Sequence, residues 1–180
     1  WGLIYLGLAL FVIYQSLPAQ RNNTCLADIG AMFKINCVAN AAWLLAWHYD
    51  FLVLSVLIMA CILATLIGIY RSLDKVRATA PRLERALVHL PFRLYTAWIS
   101  VAAIANISTV QTALGWDKLG TDAVTWTILK LALAGAIGAS VLVRKSDIAF
   151  ILVIAWAAFG ISVMQAATPL VAGAAQSLSI

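Results

Sequence analysis

Apolar residues fill the chain in six long runs, at 1–17, 33–48, 51–71, 88–113, 124–143 and 147–166, and polar residues gather between them. A helix needs about 20 mostly apolar residues to cross roughly 30 Å of hydrocarbon, whereas a barrel strand would alternate apolar and polar positions over about ten. That alternation is absent. The pattern predicts an all-α, polytopic integral membrane helix bundle of about six transmembrane helices. The connections are short except for 18–32 and 72–87. The apolar tail after Pro169 is too short to span, and reads equally as a cap or as the start of another helix.

Composition agrees: hydrophobic residues make up 64% and charged residues 11% of the chain, and the mean hydropathy is +0.97. That balance is far outside the range of soluble globular domains. The net charge of +5 has a topological cause. Arg21, Lys34, Arg71, Lys75, Arg77, Arg82, Arg85, Arg93, Arg144 and Lys145 fall on one side of the bundle, and Lys118 and Lys130 on the other. By the positive-inside rule the loops 18–32, 72–87 and 144–146 are expected in the cytoplasm, with Trp1 on the outer side of a bacterial cytoplasmic membrane. The first run has no initiator Met and no charged flank, so further sequence is expected before Trp1. The basic residues flank short loops without interleaved aromatic platforms, so no nucleic-acid partner is expected.

The usual catalytic and transport groups are not in evidence. All seven acids, Asp28, Asp50, Asp74, Glu84, Asp117, Asp122 and Asp147, fall in loops or at helix ends, leaving no intramembrane carboxylate pair for a proton relay. No Ser/His/Asp set appears, and no enzyme is expected. Cys25, Cys37 and Cys61 contain no C-x-x-C pair, so the expectation is small buried hydrophobes with no metal centre. His48 and His89 sit at helix ends. Either is an eligible axial ligand for haem or chlorophyll, but the simpler reading is an interfacial side chain. Lys130 is expected to snorkel to the interface.

What does stand out is a set of aromatic and amide stripes. At 100° per residue, Tyr95, Trp98, Ala102 and Asn106 share roughly 80° of arc over about 16 Å of axis. Asn36, Asn40, Trp43 and Trp47 lie within about 60°, and Trp1, Tyr5, Leu8 and Gln15 share a similar face. Trp and Tyr also anchor helices at membrane interfaces, and Asn can serve only as interhelical glue. Trp1, Trp47 and Trp116 fit an interfacial belt by depth; Asn40, Trp43, Ala102 and Asn106 sit deeper, where an amide needs a partner.

Trp-x-Leu-x-Tyr at Trp1, Leu3 and Tyr5, Ala39-Asn40-x-x-Trp43, and Tyr95-x-Ala97-Trp98-x-x-x-Ala102-x-x-x-Asn106 together resemble the TspO/MBR family of tryptophan-rich sensory and translocator proteins. The resemblance implies that 1–113 supplies the second to fifth helices of a five-helix core, with the first helix upstream of Trp1. Residues 114–180 would add two transmembrane helices and a tail, as in longer bacterial members. It also implies a cavity for flat apolar ligands: porphyrins and haem, and sterols in animal members. Carried over by position, the ligand-binding candidates are Trp1, Tyr5, Asn40, Trp43, Trp47, Tyr95, Trp98, Ala102 and Asn106. Rigid aromatic faces suit a tetrapyrrole plane and an amide suits its polar edge; a small Ala102 leaves room.

The reading is therefore a membrane sensor or carrier holding a tetrapyrrole or similar ligand, without turnover. Porphyrin or haem, a chlorophyll-type pigment and a carotenoid are the candidate cofactors. The alternative is an accessory or pigment-holding subunit of a photosynthetic or respiratory membrane complex. A homodimer or a larger complex is compatible with either.

Overall fold

The computed structural model describes residues 1–116 and 118–180, with Lys118 by its backbone alone. Asp117, named among the acids above, and the side chain of Lys118, counted in the topology, therefore lie outside the described residues. Seven helices are present among the described residues: α1 Gly2–Gln15, α2 Thr24–His48, α3 Leu52–Val76, α4 Arg82–Ala113, α5 Ala123–Lys145, α6 Ile148–Met164 and α7 Pro169–Ser179. Four of them, α2 to α5, are long and apolar enough to cross a membrane. The helices α1 and α6, at 14 and 17 residues, are about 21 and 25 Å long. The tail after Pro169 resolves as a helix of 11 residues with proline in its first turn, where the missing N–H costs nothing.

Three boundaries lie five or more residues from the ends of the apolar runs. Asn23 caps α2 through its side chain, accepting from the Leu26 N–H at 3.3 Å, so the helix begins nine residues before the apolar run. Its first turns are helical because the cap satisfies an end donor and because Leu26 and Ile29, three residues apart, are buried on one face. The linker 72–87 shrinks likewise, since α3 runs to Val76 and α4 starts at Arg82.

The chain forms two compact units, Trp1–Ile99 and Ser100–Ile180. In the first, α2 and α3 form a hairpin whose turn places Asp50 at φ 58°, a left-handed conformation that Asp tolerates better than most residues. Asn36 ties the hairpin, donating to the Ile62 carbonyl at 3.2 Å and to Thr65 Oγ1 at 2.9 Å. Phe11, Phe33 and Phe92 meet edge to face with centroids 4.9–5.7 Å apart, joining α1, α2 and α4 in a core. Large apolar side chains such as Val38, Leu57 and Leu44 remain exposed. On a soluble protein such a surface would be an aggregation hazard; in a bilayer it is the lipid contact.

The helix α4 is not regular. Residues Arg85–His89 take a π turn, with the Leu90 N–H bonded to the Arg85 carbonyl. Pro91 supplies the reason: it has no N–H for the carbonyl four residues back, and its ring crowds that turn.

In the second unit α5, α6 and α7 pack together around Leu131, Val171 and Ala175. A Cβ on Gly135 would sit 2.6 Å from the Leu178 side chain, so glycine lets α7 lie close on α5. Asp122 caps α5 by accepting from the Val124 and Thr125 N–H groups at 2.9 Å and from the Thr125 hydroxyl at 2.6 Å. The Thr125 hydroxyl, then the backbone donors, hold its carboxyl below the usual range. A lowered folded-state value means that this stabilisation is present above the ordinary carboxylate range and is lost as pH falls through it. Amide protection at Val124 and Thr125 should therefore fall on acidification, and Asp122→Asn should abolish that pH dependence. Hydrogen exchange across pH 3 to 7 checks it; an unchanged profile in the variant would contradict the cap's role.

Candidate functional site

Seven of the nine candidate residues lie in the first unit, and α1, α2 and α4 bring them together. Trp1 is the hub. Its ring stacks on Tyr5 at 5.6 Å and 20° and meets Tyr95 and Trp98 edge-on at 6.5 and 5.9 Å. Positions 1 and 5 are one turn apart on α1 and positions 95 and 98 one turn apart on α4, so the stripes read from the sequence face each other. Tyr95 is fully buried, whereas Trp1 and Tyr5 are 40% and 57% exposed. The cluster thus grades from a closed floor to an open rim.

The amide stripe of α2 meets this floor. Asn40 donates through Nδ2 to the Tyr95 hydroxyl. One turn on, Trp43 and Trp47 stack at 5.5 Å and 22°. The Trp43 indole N–H is buried and has no hydrogen-bond partner among the described residues, an uncommon state for a group whose desolvation costs about 1–3 kcal/mol. Asn36, on the same stripe, turns instead to α3 as described above. It is glue; Asn40 belongs to the aromatic cluster.

Ala102 and Asn106 belong to the second unit, Ala102 half-buried and Asn106 buried. They lie on α4 beyond Trp98; the ring and amide contacts described above join Trp1, Tyr5, Tyr95, Trp98 and Asn40, with Trp43 and Trp47 stacked on each other farther along α2. In the second unit Lys130 does not simply snorkel: Nζ donates to Ser108 Oγ at 2.5 Å and lies 5.5 Å over the Trp126 ring. Trp126 in turn meets Trp116 at 4.9 Å and donates to Gln111 at 3.2 Å. Trp116, read as a belt residue, is thus also a packing partner.

An apolar groove of about 540 Å³ runs between α2 and α3, lined by Ile35, Val38, Ala39, Leu57, Ile58 and Cys61 among others. It offers neither an aromatic face nor an amide, and suits a flexible chain better than a planar ring.

A TSPO-like family model matches residues 1–180. The chain belongs to the TSPO-like family. The match runs through α5, α6 and α7 as well as through the helices that carry the aromatic motifs. No curated protein and no solved structure matches the chain. A TSPO-like membrane helix bundle is therefore the frame in which the cluster is to be read.

Proposed function

We propose that this TSPO-like protein binds a flat apolar ligand, a tetrapyrrole above all, and acts as a sensor or carrier without catalytic turnover. The observation that carries the reading is the Trp1–Tyr5–Tyr95–Trp98 cluster with Asn40 on its floor and the unpartnered Trp43 N–H beside it. Stacked aromatic faces supply area for a macrocycle, and a buried donor without an acceptor is what a ligand's polar edge would satisfy. Residues 1–113, which carry the aromatic and amide motifs, act as the binding core. Haem, a chlorophyll-type pigment and a carotenoid are the other ligands the cluster could stack.

The absorption spectrum of gently purified protein tests this. A Soret band, or a Soret band regained on adding protoporphyrin IX, supports the tetrapyrrole; a carotenoid spectrum replaces it. Stoichiometric copurification with photosynthetic or respiratory subunits would favour the accessory-subunit reading instead.

We further propose that the loops 18–32, 72–87 and 144–146 face the cytoplasm of a bacterial inner membrane. In a background without native thiols, Ala78→Cys should be protected from an impermeant maleimide in intact cells and Thr121→Cys reactive. The reverse labelling would invert the orientation.

A further inference from the structure

We infer that Cys25, Glu84 and His89 form a binding site for a borderline-soft divalent cation of the Zn²⁺ class. Spacing along the chain gives no hint of it, because 59 residues separate Cys25 from Glu84. The fold brings them together: the ligand atoms of all three lie within 4.8 Å of one another. His89 Nε2 is 3.8 Å from Glu84 Oε1. Metal–ligand bonds of about 2.0–2.3 Å in a tetrahedron set their ligand atoms about 3.3–3.7 Å apart, so closure asks for movements of about an ångström or less.

The π turn makes the pair. On a regular α-helix residues 84 and 89 would point about 140° apart; one i→i+5 turn across Arg85–His89 returns them to one side. Burial then adds the chemical demand. His89 is 2% exposed, yet neither ring nitrogen has a hydrogen-bond partner among the described residues. It was expected at an interface, and it is instead a buried base with two unanswered nitrogens. Glu84 is also buried, and Asn23 Nδ2 donates to its Oε2 at 2.8 Å, leaving Oε1 toward His89. That is the outer-shell support which orients a ligating carboxylate. Asp74 lines a small cavity with the His89 ring and Arg93.

A thiolate, an imidazole and a carboxylate select Zn²⁺ or Co²⁺ over Mg²⁺ or Ca²⁺, which take oxygen ligands. Binding displaces the Cys25 thiol proton to solvent, so two anionic ligands offset the dication and water completes the fourth position. The ion would clasp the start of α2 to the π turn of α4.

The test uses the full chain in detergent with Co²⁺ and Zn²⁺. One equivalent of Co²⁺ should give a thiolate-to-metal charge-transfer band and tetrahedral ligand-field bands, both displaced by Zn²⁺. The charge-transfer band should vanish in Cys25→Ser and persist in Cys37→Ser and Cys61→Ser. His89→Gln and Glu84→Gln should each weaken Zn²⁺ roughly tenfold or more, and the Zn²⁺-dependent rise in melting temperature should disappear. If His89→Gln does not fold, the half-buried Cys25→Ser decides alone. Co²⁺ bound without a charge-transfer band, or Zn²⁺ bound equally by the parent and Cys25→Ser, would overturn the site.

Discussion

Trp98→Phe is expected to weaken porphyrin binding about five- to thirtyfold while leaving the ligand-free protein folded. Phenylalanine keeps an aromatic face against Trp1, whose ring lies 5.9 Å away, but loses area and the indole N–H. A loss of roughly 1–2 kcal/mol suits one weakened aromatic contact. Trp43→Phe gives a sharper test because its two effects should have opposite signs. Removing the buried, unpartnered Trp43 N–H relieves a desolvation cost of about 1–3 kcal/mol, which offsets the lost packing, so the apo melting temperature should not fall. Affinity for the porphyrin should nevertheless drop. Packing alone would give the reverse: lower stability and unaltered affinity of the surviving folded protein. Titration of both variants in nanodiscs, alongside their melting curves, separates the two cases.

Gly7→Val is expected to destabilise the first unit by about 1–3 kcal/mol, the usual cost of overpacking a closed contact. A Cβ at position 7 would lie 2.9 Å from Pro91 Cβ and 3.0 Å from Cγ. The pyrrolidine ring cannot rotate away as a flexible chain would, so α1 must shift from α4. The same shift would displace Trp1 and Tyr5 from Tyr95 and Trp98, and ligand affinity should fall with the melting temperature. Gly7→Ala should show a smaller version of both losses. A Gly7→Val protein that melts like the parent would mean that the α1–α4 contact is looser than the distances require.

The helices were legible because hydrocarbon imposes length and composition on whatever crosses it. The aromatic stripes were legible because helical periodicity alone fixes which residues share a face, as Tyr95 with Trp98 and Asn40 with Trp43 demonstrate. Periodicity does not say which neighbour a face meets. Asn36 and Asn40 share a stripe, yet one bonds α3 and the other bonds Tyr95 of α4. The start of α2 was hidden because a cap, not an apolar run, sets it. The tail after Pro169 became a helix through contacts with α5 and α6 that its own 11 residues do not encode. The Glu84–His89 pair was hidden for a different reason: a π turn breaks the 100° rule by which faces are read. Pro91 was the available signal, since a proline about two and a half turns into a helix marks where that rule fails.

Protoporphyrin IX titrated into the nanodisc-embedded protein, followed by quenching of tryptophan emission, tests the central claim most directly. Saturation at one equivalent per chain, with Trp98→Phe and Trp43→Phe shifted to weaker binding, is the result predicted by a stacking site built from Trp1, Tyr5, Tyr95 and Trp98. Linear, non-saturating quenching that is the same in the parent and both variants would contradict it, leaving the aromatic residues as packing and membrane anchors.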